Sequence, residues 1–180
     1  MSDYERQPRD YYRTPPWVVE YLFSHLPLVD GVVWEPAAGA DDMGAAMRNL
    51  GMNVMSTDIE PQSDRVQHLD FFDVRKGKDV EAIITNPPFR TSEEFCRRAL
   101  SFDQVDTVAL LLPYEWDTAG CRLDLFRDEP RFLAKIILPK RISWLNFEKK
   151  ASPRQVHAWY VWDRQNDEPP TILYPHEKSA

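Results

Sequence analysis

Short apolar, β-branched runs alternate along the chain with longer amphipathic stretches, a pattern that predicts an α/β protein built on a mainly parallel sheet. Strands are predicted over Val32–Trp34, Asn53–Ser56, Arg65–Leu69, Val80–Thr85, Val105–Leu112, Phe132–Leu138 and Val156–Trp162. Helical periods are predicted over Pro15–His25, Met43–Leu50, Ser92–Ser101 and Trp116–Arg127. In the first helix Val18, Val19, Leu22 and Phe23 form the side to be buried. Thr14 ahead of Pro15 reads as its start, since a hydroxyl can cap free amides and proline suits the first helical position. From 139 to 155 the chain, PKRISWLNFEKKASPRQ, has no clean period and reads as a long basic, aromatic-bearing insertion, a kind of loop that is usually functional or disordered. The polar, proline-bearing tail over 164–180 is expected to lie loosely on the surface.

Length changes this picture only by limiting it: 180 residues make one domain, 1–180, with little left for a second core. At 43% hydrophobic and 28% charged residues, with no apolar run of membrane-spanning length, the composition is that of a soluble globular protein. The charged start MSDYERQPRD lacks the apolar stretch of a secretory signal, so a cytoplasmic location is expected. Cys96, Cys121 and four scattered histidines offer no metal-ligand spacing, and His25, His68 and His176 receive no role. A net charge of -7 argues against a protein that coats nucleic acid non-specifically. Residues 135–154, however, carry Lys135, Lys140, Arg141, Lys149, Lys150 and Arg154 against Glu148 alone, either a focused phosphate-binding surface or a solvated loop.

The sharpest chemical signal is Asn86-Pro87-Pro88-Phe89, directly after the apolar run AIIT and before a helix. Each residue that precedes a proline is held extended, so the chain leaves the strand tip stiffly. Neither proline donates a backbone hydrogen bond, which leaves the Pro87 carbonyl free to face outward. With the Asn86 side-chain oxygen it offers two acceptors at fixed separation, suited to the two hydrogens of an amino group. An aryl amine is a poor nucleophile because its lone pair is delocalised into the ring. Accepting both hydrogens favours a pyramidal nitrogen whose lone pair can attack a methyl group in line. Phe89 follows where a planar base could stack; a proline-rich turn is the structural alternative.

On these residues the chain resembles the amino-methyltransferases, in particular the adenine-N6 DNA methyltransferases, whose catalytic motif is Asn or Asp, Pro, Pro and an aromatic. The resemblance implies a Rossmann-like, doubly wound, mainly parallel seven-stranded sheet of the class I methyltransferase type, with S-adenosylmethionine as cofactor. It also implies that Asn86, Pro87, Pro88 and Phe89 hold a flipped adenine, with Asn86 near the cofactor as well. Upstream, Glu35-Pro36-Ala37-Ala38-Gly39 follows the first predicted strand and is similar to the family's cofactor loop, written Glu-Pro-Ala-x-Gly, in which small residues allow close approach. It departs from glycine-richer versions in continuing with Asp41 and Asp42. About twenty residues on, Asp58-Ile59 stands where a doubly wound fold places an acidic group against ribose hydroxyls, with Glu60 as the nearby alternative. Asp70-Phe71 matches the family's Asp-Phe pair at the cofactor's adenine. Tyr12-x-Thr14-Pro15-Pro16 is similar to the segment that completes the cofactor site in one family branch, which implies that Thr14 faces the methionine carboxylate.

The second face of a base clamp falls by resemblance on Trp162, with Trp144 and Phe147 as competitors; His157 reads as structural. Lys140, Arg141, Lys149 and Lys150 are the candidates for nucleic-acid backbone contact. The family usually reads sequence through an additional domain for which there is no room, so short insertions near Tyr114–Asp117 and Lys140–Arg154, a second subunit or a homodimer would do that work. The compact size is similar to that of the small adenine methyltransferases of bacteriophages. Adenine in RNA and a protein glutamine amide are alternative substrates for the same motif. A module that binds cofactor or nucleic acid without turnover is the remaining alternative.

Overall fold

The computed structural model of the chain describes residues 12–75, 79–145 and 155–175. Its elements are α1 (Pro16–Phe23), β1 (Val32–Glu35), α2 (Asp42–Asn49), β2 (Asn53–Asp58), β3 (Gln67–His68), β4 (Ala82–Thr85), α3 (Ser92–Leu100), β5 (Thr107–Pro113), β6 (Phe132–Ile137), β7 (His157–Asp163) and β8 (Thr171–Leu173). They build one eight-stranded sheet in the order β3-β2-β1-β4-β5-β7-β6-β8. Every neighbouring pair is parallel except the two that β7 makes, with β5 and with β6. The expected mainly parallel α/β sheet is present, with eight strands rather than seven. The additional strand is β8, inside the tail expected to lie loose; Thr171 to Leu173 pair in parallel with Ala134 to Ile136 along the sheet edge.

Both faces of the sheet are covered, so its central strands are apolar on both sides instead of alternating: Ala82–Thr85 is buried throughout, as is the middle of β5. Along β7 the side chains divide between the two cores. His157, Trp159 and Val161 lie on the α1–α2 side, while Ala158, Tyr160 and Trp162 lie on the α3 side with Phe71, Phe95 and Phe126. Helix α1 buries Val18, Val19 and Leu22, each contributing roughly 1.5–3 kcal/mol of apolar burial, and leaves Phe23 half-buried. It begins at Pro16 with Pro15 in the capping position and no side-chain cap, because Thr14 is turned to another partner.

The predicted helix over Trp116–Arg127 is instead two 3-10 turns, Trp116–Thr118 and Gly120–Leu125. Three local commitments break it. The Asp117 carboxylate accepts from Lys135 Nζ at 2.9 and 3.0 Å, the Thr118 hydroxyl donates back to the Glu115 carbonyl, and Ala119 is extended before Gly120. Lys135, counted above with the basic surface, is thereby only 7% exposed.

Candidate active site

The strand order reverses direction between β1 and β4, and in doubly wound sheets the crevice at such a point, outside the carboxyl ends of the strands, is where ligands bind. A cavity of about 470 Å³ opens there, within the range of small-molecule sites. Its floor is the turn after β1. Gly39 (φ 52°) and Asp41 (φ 73°) both take left-handed backbone, a conformation tolerated by Asp more readily than by most side chains. Asp41 is held in it by the Ser56 hydroxyl, which donates at 2.6 Å, and by an ion pair with Arg48. This arrangement needs Gly44, where a Cβ would overlap the Asp41 carboxylate and come within 2.5 Å of Ser56 Oγ. The Gly39 amide donates to Asp58 Oδ2 at 2.8 Å, which ties the turn to the tip of β2.

Glu35 closes β1 and points into the cavity at 2% exposure. Burial pushes its carboxyl well above the usual carboxylate range, Asp41 and Asp58 push the same way, and a hydrogen bond from the Gly44 amide and the Arg48 charge oppose them. Its Oε2 has no hydrogen-bond partner among the described residues, a costly state for a buried carboxyl that a cationic group in the cavity would relieve.

At the tip of β4 the Asn86 amide nitrogen donates to Thr14 Oγ1 (3.1 Å) and to the Tyr12 carbonyl (3.3 Å), while Oδ1 is buried with no partner among the described residues. The Pro87 carbonyl accepts no hydrogen bond from any described residue, whereas that of Pro88 accepts from the Thr91 amide and closes the turn into α3. Asn86 and Pro88 line the cavity. The Phe89 ring stacks on Tyr12 with centroids 5.2 Å apart and lies 5.5 Å from His157. Burial lowers the His157 imidazole to about 4, so it is neutral at physiological pH.

Of the residues expected at the cofactor, Tyr12, Thr14, Glu35, Ala37, Gly39, Asp58, Ile59 and Asn86 come together around this one cavity, with Glu60 beside them. Pro15, Pro36 and Asp70 are not in its lining, and Asp70 instead accepts from the Phe72 amide at 2.9 Å. Phe71 does not face the cavity either: it stacks on Phe95 and meets Trp34 edge-on in the core. Trp162 is corrected as a base clamp, because it is 1% exposed and its Nε1 donates to the Leu125 carbonyl inside the α3-side core. Trp144 is likewise buried, against Tyr12 and His157. Lys140 lies over the Trp17 ring and Arg141 is exposed, whereas Phe147, Lys149, Lys150 and Arg154 fall outside the described residues.

Arg13, Asp42, Met43 and Gln62 also line the cavity and were not anticipated. Arg13 grips Asp42 with two 2.8 Å hydrogen bonds, joining the segment before α1 to the start of α2. A cation at 13 and an anion at 42 carry no local pattern by which sequence could pair them.

No family model and no curated protein matches the chain by sequence. Solved structures match it by shape. A provisionally assigned RNA methyltransferase from Pyrococcus horikoshii superposes with a TM-score of 0.63 at 15% identity, over 91% of this chain and 92% of that one. The modification subunit of a provisionally assigned type I restriction enzyme from Vibrio vulnificus gives 0.59 at 12% identity, covering 91% of this chain and 46% of the subunit. A dimethyladenosine transferase from Plasmodium falciparum gives 0.56 at 11% identity, over 85% of this chain and 63% of that one. The chain shares its fold with these solved methyltransferase structures.

Proposed function

We propose that the protein methylates the exocyclic N6 amine of adenine in DNA, using S-adenosylmethionine, with the base turned out of its stack to reach Asn86-Pro87-Pro88-Phe89. The observation that carries this reading is the buried Asn86 Oδ1, without a partner among the described residues, in the lining of a cavity that Glu35 and Asp58 also line. The cavity residues fit the cofactor. The orphan Glu35 oxygen suits its ammonium group, Asp58 and Glu60 at the end of β2 suit ribose hydroxyls, and exposed Ile59 offers an apolar surface for its base. When bound, the cofactor supplies an electrophilic methyl group.

Asn86 Oδ1 and the Pro87 carbonyl accept the two hydrogens of the amine and turn its lone pair toward the cavity. No tuned base is required, because the methylated nitrogen is acidic enough to lose its proton to water. With Trp144 and Trp162 committed to packing, the half-buried Phe89, packed against Tyr12 and His157 just beyond the cavity lining, is the aromatic left to meet the base. Lys140 and Arg141, exposed just beyond β6, are the candidates for contact with phosphate. Two of the structural neighbours are named for RNA or dimethyladenosine, which favours adenine in RNA as the second reading.

The test is incubation with methyl-labelled cofactor and DNA, RNA or total protein in parallel, followed by digestion and mass spectrometry. N6-methyladenine in DNA is the expected product. Label confined to RNA adenine assigns the second reading, and absence of label from every nucleic acid contradicts both.

A further inference from the structure

We infer that Thr14, together with the Tyr12 carbonyl, is the positioning group that decides which end of the Asn86 side chain faces the substrate; the inference rests on the methyl-transfer reading above. The two ends of a carboxamide have nearly the same shape, so packing alone does not choose between them. Hydrogen bonding does. The Tyr12 carbonyl can only accept, and it lies 3.3 Å from the Asn86 amide nitrogen, while Thr14 Oγ1, whose own hydrogen is directed to that carbonyl at 3.5 Å, accepts the other amide hydrogen at 3.1 Å. With the amide reversed, Oδ1 would meet the Tyr12 carbonyl, acceptor against acceptor. The amino group would then face a substrate amine that itself offers hydrogens. Both contacts would be repulsive, and the acceptor pair on which the chemistry depends would be lost.

The geometry is held from three directions. Arg13, between the two groups, grips Asp42 at the start of the cofactor-side helix. Its carbonyl accepts from the Leu145 amide at 2.9 Å, and the Tyr12 ring is stacked on Phe89 and tilted against Trp144. Thr14 precedes Pro15, which holds it extended, and its β-branched side chain has few rotamers to choose from. Residues 12–14 thus register the catalytic loop against the cofactor turn. Thr14 acts through Asn86 and need not touch either reactant.

The test compares Thr14→Val, Thr14→Ala and Thr14→Ser in the full chain. Loss of the hydroxyl in the Val and Ala variants is expected to lower kcat about tenfold or more, the range for one positioned hydrogen bond in a reacting site, with the cofactor Kd within about twofold of the parent. Thr14→Ser is expected to recover most of kcat. Independently of activity, the side-chain amide resonance of Asn86, identified by its loss in Asn86→Ala, is expected to shift and to exchange faster with water in the Val and Ala variants and to return in Ser. An active parent whose Val and Ala variants keep parental kcat overturns the positioning role alone. A raised cofactor Kd with unchanged kcat overturns it too, and assigns Thr14 to the cofactor's carboxylate. A parent that binds cofactor yet methylates no polymer overturns the methyl-transfer reading and the positioning role with it.

Discussion

Glu35 and Asn86, at the tips of β1 and β4, each keep a buried oxygen without a hydrogen-bond partner among the described residues. Further along the same sheet, comparable polar groups are fully engaged. Lys135 is spent on Asp117, the Tyr160 hydroxyl reaches Asp117 and the carbonyls of Pro113 and Tyr114, and the indole nitrogens of Trp159 and Trp162 each donate to a carbonyl. What sets Glu35 and Asn86 apart is that they also line the cavity, whereas Tyr21 Oη, Thr85 Oγ1 and the Nε atoms of Arg98 and Arg122, likewise buried without a partner among the described residues, lie outside it. Unsatisfied buried groups cost stability and are retained where something else completes them. His157 marks the border between the regions: neither ring nitrogen has a side-chain partner among the described residues, and it packs beside Phe89.

The contrast predicts effects on opposite axes. The largest is expected from Asn86→Ala, which should cut methyl transfer by roughly 100-fold or more while leaving the cofactor Kd within a few-fold, as read by steady-state kinetics and calorimetry. Next, Glu35→Gln should weaken cofactor binding yet stabilise the unliganded chain by roughly 1–3 kcal/mol at neutral pH, because it removes a carboxyl that must take up a proton to stay buried. The sign follows from the raised pKa of Glu35: the folded state holds a proton that the unfolded state releases, so the parent loses stability as pH rises above the ordinary carboxylate range and the Gln variant does not. Denaturant melts at pH 5 and pH 8 measure the difference.

In the other region, Lys135→Met should lower stability by about 2–3 kcal/mol, at the low end for a broken buried pair because Asp117 keeps partial solvent contact, with cofactor binding unchanged. Trp162→Phe should cost about 1–3 kcal/mol through a lost hydrogen bond and looser packing, with kcat unchanged; a large fall in kcat would return Trp162 to the base clamp. The smallest effect at neutral pH is expected from His157→Phe. Below the ordinary imidazole value of 6.5 the unfolded chain gains a proton that the folded chain takes up only near pH 4, so the parent loses stability across that window. The Phe variant should lose less, in acid melts.

The same division explains what could be read from sequence. The Asn-Pro-Pro-Phe and Glu-Pro-Ala-Ala-Gly segments are turns at strand tips, and their chemistry is carried by neighbours in the chain, so local text predicts local geometry. The alternation of runs gave the strands for the related reason that parallel, doubly covered strands are apolar throughout. Trp144, Trp162 and Lys135 are different. An aromatic or a lysine shows only its type, while its role is decided by partners such as Leu125 or Asp117 that sit 37 and 18 positions away. Phe71 was misread for the same reason, since the face of its ring is set by Phe95 and Trp34. The weak strand β8 escaped notice because its three residues are mostly exposed at a sheet edge and carry no burial pattern.

A crystal structure of the chain soaked with S-adenosylmethionine bears most directly on the claim that Asn86 Oδ1 is an acceptor kept for the substrate. Expected is the cofactor in the cavity between Glu35 and Asp58, its sulfonium methyl toward β4, and Asn86 Oδ1 still unpartnered and facing the space in front of that methyl. A cofactor bound elsewhere, or an Asn86 oxygen turned away from the sulfonium, would contradict it.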